Sequence, residues 1–240
     1  MTPDAVDLRT ELLAISAELG RGTLSSRSAS APPRPAAPDA TSLVEPLRDV
    51  LLSQPVESWP RLAISFNADQ VDSKLWLIEC LPRGLDLSRH RVVILGAWFG
   101  LLALMLHRLA PRPPAEIVCV DIDAGVCARA TQVLSVLPEP PRVLAADVLD
   151  LDYPALGAGR PTLFVNTSCE HLHDFAGWRN RIPAGARLVL QSNDHAGCSE
   201  HVNWVPDLEA FEAQARLSEV AFRGTLPLEH FRRFMLIGRT

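Results

Sequence analysis

The residues best suited to chemistry in this sequence fall at the ends of short apolar runs. Gly96-Ala97-Trp98-Phe99-Gly100 follows the run Arg91–Leu95 and leads into a leucine-rich stretch ending at Leu109. An apolar run, a glycine turn and a helix start is how α/β proteins hold nucleotide-like ligands, with backbone N–H groups facing the ligand. Asp121-Ile122-Asp123 follows the run Glu116–Val120, and Asp147-Val148 follows Arg142–Ala145. A carboxylate at such a tip can accept both hydroxyls of a ribose, which makes Asp121 a candidate ligand residue. Asp123 reads better as the N-cap of the next helix.

Two further tips carry polar clusters. Asn166-Thr167-Ser168-Cys169-Glu170-His171-Leu172 follows Thr162–Val165. Ser192-Asn193-Asp194-His195 and then Glu200-His201-Val202-Asn203 follow Arg187–Gln191. Asn166, Thr167 and Ser168 are neutral donors and acceptors suited to holding a substrate or an amino-acid end. Asn166, Ser168, His171, Asn193 and His195 are the candidate catalytic residues, with His201 and Asp194 as further candidate bases. Cys169, His171, His173, His195, Cys198 and His201 raise the question of a metal. Their spacings are not those of a zinc finger, and a Cys-x-His-x-His run alternates direction if extended, so the expectation is no metal. Cys169 has no basic neighbour but His171, and a buried, inert thiol is expected there.

These groups must be positioned by strands and helices. From Arg91 onward, short apolar runs alternate with helical patterns, which predicts a mostly parallel, doubly wound sheet. A helix is expected over Ala124–Leu137, stopped by Pro138, and another over Leu208–Ala215. The β-rich runs Ser218–Gly224 and Arg232–Gly238 predict a closing hairpin. Residues 1–85 are expected to form a helical extension, acting as a lid over the domain of residues 86–240. Val6, Leu12, Leu13, Ile15 and Leu19 define an amphipathic helix ending near Gly20. That helix could pack on its own domain or on a second copy, making a homodimer. Arg21 to Ala40, nearly all Ser, Ala, Pro and Arg, predicts a flexible linker. Thr41–Gln54 and Asp72–Leu81 read as further helices.

Composition narrows the partners. A net charge of −5 and a pI near 5.8 give no reason to expect nucleic acid, which usually calls for a clustered basic face. No apolar run approaches the roughly 18 residues of a membrane span. The start, Met1-Thr2-Pro3-Asp4, lacks a signal-peptide pattern. The five cysteines form an odd, unpaired set. These features predict a cytoplasmic protein with a small-molecule partner and neither nucleic acid nor membrane.

The strand order, the glycine turn and the acidic residues after strands two and three resemble the class I S-adenosylmethionine (SAM) dependent methyltransferases, from roughly Arg91 to the C-terminus. That family's loop runs acidic-x-Gly-x-Gly-x-Gly, and the matching residues here are Ile94, Gly96, Trp98 and Gly100. Two glycines are kept, the middle one is Trp and the acid is missing. A dinucleotide fingerprint would need Gly-x-Gly-x-x-Gly, which Ala97, Trp98 and Leu101 break. The resemblance implies SAM as cofactor, held by Gly96, Ala97, Trp98, Phe99, Gly100, Asp121, Ile122, Asp147, Val148, Asn166 and Thr167. It places Asp121 at the ribose and Asp147 near the adenine amino group. Glu170-His171-Leu172 matches the Glu-His-Leu of many small-molecule methyltransferases, as a catalytic or helix-capping pair, with a structural role favoured for Glu170.

Each carbon on a sulfonium is electrophilic, so such enzymes mainly align a nucleophile. The first functional expectation is methyl transfer to a small molecule, amino-acid-like or a secondary metabolite. The second is cyclisation of SAM alone to azetidine-2-carboxylate and methylthioadenosine. Ile94 motivates it by removing a partner of the methionine amine. So does Trp98, whose ring could face the sulfonium at about 0.5–2 kcal/mol or simply pack on the N-terminal helices. A non-catalytic SAM-binding or scaffold domain is the third.

Overall fold

The computed structural model describes residues 2–22 and 43–240. Seven strands form one sheet in the order β3-β2-β1-β4-β5-β7-β6. They are β1 (Arg91–Leu95), β2 (Glu116–Asp121), β3 (Arg142–Ala145), β4 (Thr162–Asn166), β5 (Arg187–Asn193), β6 (Glu219–Pro227) and β7 (Arg232–Arg239). The first five are parallel, whereas β7 runs antiparallel between β5 and β6. Successive strands are laid outward from β1 first on one side, as β2 and β3, and then on the other, as β4 and β5, so the winding order reverses between β1 and β4. Sheets of this kind bind ligands at such a switch point, off the carboxyl ends of the strands.

Alternation along the strands sorts the core into two layers. Val92, Ile94, Cys119, Val165, Val189, Met235 and Ile237 face one way. They pack against α1 (Pro3–Gly22), α2 (Val44–Leu52), α3 (Trp59–Ser65), α4 (Ala68–Cys80), α5 (Leu101–Leu109) and α6 (Ala124–Leu134). Val93, Leu95, Val120, Phe164, Leu188, Phe234 and Leu236 face the other way. Their partners are α7 (Tyr153–Gly157), α8 (Phe175–Arg181) and α9 (Leu208–Ala215). Among the described residues, no helix is long and apolar enough to cross a membrane.

The N-terminal helices share their core with the sheet. Leu8, Leu12, Ile15 and Leu19 of α1 are buried in the same cluster as Ile94 and Met235, so its apolar face is used within this chain. Helix α1 continues through Arg21 and Gly22, two residues of the expected linker; the rest of that segment, from residue 23, lies outside the described residues, as do Thr41 and Ser42 of the next expected helix. Helix α4 starts at Ala68, earlier than expected, because Asn67 caps it by accepting from the Gln70 N–H. Helix α6 ends at Leu134, short of Pro138. Strands β4 and β5 extend to Asn166 and Asn193, since ladder hydrogen bonds tolerate polar residues that the apolar runs exclude.

A candidate cofactor and substrate site at the strand tips

The loop after β1 is built on left-handed backbone. Gly96, Trp98 and Gly100 have φ of 65°, 49° and 84°. A Cβ on Gly100 would meet the Leu134 side chain at 2.9 Å, and one on Gly96 would meet Ser168 at 3.2 Å. Trp98 thus holds a conformation that the resembling family fills with glycine, and a bulky residue there is strained. Two contacts offset the strain. The Trp98 N–H donates to Asp121 Oδ2 at 2.9 Å, and the ring packs on buried Phe99 with centroids 5.4 Å apart. Ala97 is tied down by its N–H to the Val120 carbonyl. Ile94, at the position of the family's acid, is 1% exposed within the apolar core. No carboxylate can be supplied from that position.

Asp121 Oδ1 accepts the Asp123 N–H at 3.1 Å. Each Asp121 oxygen so accepts one backbone N–H, and each has a second lone pair for a ribose hydroxyl. Asp123 is the N-cap of α6, accepting from Gly125 and Val126. Ile122 between them is 71% exposed, a large apolar side chain presented beside the loop. At the tip of β3, Asp147 Oδ1 accepts the Leu149 N–H at 2.8 Å, closing a turn. The Val148 carbonyl accepts from the Tyr153 hydroxyl at 2.7 Å.

The tips of β4 and β5 are buried and polar. Asn166 accepts the Ser168 N–H at 2.9 Å, and Thr167 is buried beside it. Gln191, Ser192 and Asn193 are fully buried. Cys169, Glu170 and His171 form a 3-10 turn, not an extended run, and Cys169 is buried. Burial pushes the Cys169 thiol well above its usual value, which leaves no thiolate for nucleophilic attack. Glu170 caps no helix: its Oε1 accepts from Asn193 Nδ2 at 2.6 Å and from Arg233 Nη1 at 2.7 Å, and both charged side chains are 3% exposed. Asp194 is engaged by Arg232 at 2.6 Å. Burial opposes ionisation of Asp194, but hydrogen bonds and charge from Arg232 hold its carboxyl below the usual range, which unsuits it as a base. His171, His195 and His201 gather here, with ring centroids 4.8 Å apart for His171–His201 and 5.5 Å for His195–His201. Burial lowers the His201 pKa, partly offset by the hydrogen bond to the His195 carbonyl.

Two residues escaped the reading of the sequence. Arg233 opposes Asn193 across the β5–β7 ladder, so both point to the face covered by α4. Lys74 of α4 is 7% exposed and donates to Gln70 Oε1 at 2.5 Å. Burial pushes the Lys74 ammonium down to about 7, with Arg233 repelling it and Glu170 opposing the shift. A signal existed: Lys74 lies between Val71 and Leu75 on an otherwise apolar helix face. Helix α4 is pinned here by the Gln191 amide donating to the Ser73 carbonyl at 3.0 Å. Glu170 Oε2, Gln191 Oε1, Ser192 Oγ and Arg233 Nε are buried without a hydrogen-bond partner. A concavity of about 420 Å³ lies at the amino ends of β2 and β3, lined by Pro113, Pro114, Glu116, Pro140 and Arg142, away from all these groups.

No family model matches the chain, and no curated protein matches it. Solved structures do. The N-methyltransferase NodS from Bradyrhizobium japonicum WM9, in complex with S-adenosylhomocysteine, superposes with a TM-score of 0.51 at 14% identity, covering 82% of this chain and 98% of that one. The fold is that of the class I SAM-dependent methyltransferases. A possible exported protein from Bordetella parapertussis gives a TM-score of 0.51 at 10% identity over 100% of both chains. A ribosomal protein L11 methylase from Lactobacillus delbrueckii subsp. bulgaricus gives 0.50 at 14% identity, over 72% of this chain and 80% of that one. Within this methyltransferase fold, Ile94 sits in the first strand, Trp98 in the loop after it, and Asp121 at the tip of the second.

Proposed function

We propose that the protein is a SAM-dependent transferase, and that it methylates a small molecule held under α4 at the tips of β4 and β5. The observation that carries this is Asp121 at the tip of β2, next to the switch point. Its carboxylate holds the glycine loop through Trp98 and keeps a lone pair on each oxygen, beside exposed Ile122. A ribose diol fits the carboxylate, and an adenine ring fits the apolar side chain. Asn166 and Thr167 lie next along the tips, where the methionine end and the acceptor would meet. SAM would supply an electrophilic methyl group; the protein orients the acceptor and excludes water. Lys74, His195 and His201 are candidate proton acceptors.

Calorimetric titration with SAM tests the reading. Asp121→Ala should weaken binding by about 1–3 kcal/mol through lost hydrogen bonds. An unchanged affinity would place the cofactor elsewhere, and no binding by the wild type would leave only a scaffold.

Ile94 favours a second reading. Because that position is buried and apolar, the methionine amine lacks a partner there and is freer to attack its own side chain. The amine nitrogen would bond to the γ-carbon, the carbon–sulfur bond would break, methylthioadenosine would leave and one amine proton would be lost. Incubation with SAM alone, followed by mass spectrometry, separates the two. Methylthioadenosine with a cyclic amino acid would establish cyclisation; S-adenosylhomocysteine formed only with an added acceptor would establish methyl transfer.

A further inference from the structure

We propose that Glu170, His171 and His201 form a binding site for a first-row divalent transition-metal cation, with coordination positions left open to a ligand oxygen. The three residues offer ligand atoms that all lie within 4.8 Å of one another. Glu170 and His171 come from the 3-10 turn after β4, and His201 from the segment after β5.

Each histidine is set for coordination through Nε2. His171 Nδ1 lies 3.0 Å from the Glu200 carbonyl and His201 Nδ1 lies 2.9 Å from the His195 carbonyl. A carbonyl oxygen only accepts, so both Nδ1 atoms carry a proton, and in the neutral ring each Nε2 presents a lone pair. A backbone carbonyl on the far ring nitrogen is the usual way a metal-binding histidine is oriented.

The carboxylate is only half satisfied by the protein. Glu170 is 2% exposed, and its Oε1 is taken by Asn193 and Arg233. Its Oε2 is buried with no partner, an arrangement folded proteins seldom leave unanswered. A cation bound through Oε2 and the two imidazoles answers it, and Arg233 keeps the carboxylate monodentate.

Two imidazoles and one carboxylate match the donor set of open zinc and non-haem iron sites, not the all-oxygen sets of magnesium or calcium. The site lies beside the acceptor position of the proposed reaction, so an acceptor hydroxyl or carboxylate is the ligand expected at the open positions. That role rests on the transferase reading; metal binding itself does not.

The test is calorimetric titration of the chelator-treated full chain with Zn2+, Mn2+ and Mg2+, without SAM. One Zn2+ should bind per chain, with Mg2+ weaker by about tenfold or more. His171→Gln changes a solvent-facing ring and should weaken Zn2+ binding about tenfold or more, with an unchanged melting temperature of the metal-free protein. His201→Gln should do the same, whereas Cys198→Ser should leave binding intact. Bound Co2+ should show a visible d–d band that is lost in His171→Gln. Zn2+ affinity unaffected by His171→Gln and His201→Gln, or no stoichiometric Zn2+ binding by the wild type, overturns the site. Both outcomes are independent of whether SAM binds.

Discussion

The row of strand tips has two halves built on opposite terms. At β1–β3 the groups are partly exposed and locally satisfied: Asp121, Asp123 and Asp147 each accept backbone N–H groups from within a few residues or from the neighbouring loop. At β4, β5 and β7 the groups are buried, charged and drawn from across the chain. Glu170, Asn193 and Arg233 gather beneath Lys74 of α4, and Glu170 Oε2, Gln191 Oε1 and Arg233 Nε are buried there without a partner. The first half resembles a surface prepared for a ligand of fixed shape. The second holds high-energy polar groups out of water, which is where ligand-specific contacts are strongest.

The largest effect is expected for Arg233→Met. Leaving Glu170 buried without its cation should cost about 3–5 kcal/mol in urea unfolding, and replacing both partners, as in Glu170→Leu with Arg233→Met, should restore most of that. A loss below about 1 kcal/mol for the single change would mean the pair is not effectively buried.

Lys74 offers a pH readout. Its folded pKa of about 7 lies below the unfolded value near 10.4, so between these the unfolded chain binds more protons. Stability should therefore rise with pH above about 7, by up to about 1.4 kcal/mol per unit from this group. Below about 7 the group is protonated in both states and adds no slope. Lys74→Met should remove this component, and identical pH profiles for the two proteins would show that Lys74 is solvated.

The smallest effect belongs to the other half. At φ 49°, position 98 should prefer glycine over alanine, so Trp98→Gly should be more stable than Trp98→Ala by about 1 kcal/mol, the reverse of an ordinary site. Equal stabilities would mean the loop relaxes once the ring is gone.

The sheet, its order of elements and the β1–β2 tip were legible in the amino-acid sequence. Period-2 and period-3.6 patterns are local, and Gly96, Gly100 and Asp121 act through their own backbone turns. Trp98 and Ile94 were visible as departures, but only the fold showed that Ile94 is sealed in the core and that Trp98 takes a left-handed conformation. The β4–β5 tip was half legible. Asn166, Glu170, His171, Asn193 and His195 stood out as polar residues after apolar runs. What they do was decided by partners far away in the chain: β7 runs antiparallel and brings Arg233 opposite Asn193, and α4 brings Lys74 near Arg233 and Glu170. His201 joins Glu170 and His171 because two loops converge, which no ligand spacing in the sequence records. Local periodicity determined the scaffold. Long-range pairing, which sequence neighbours do not encode one at a time, decided which charges are buried together.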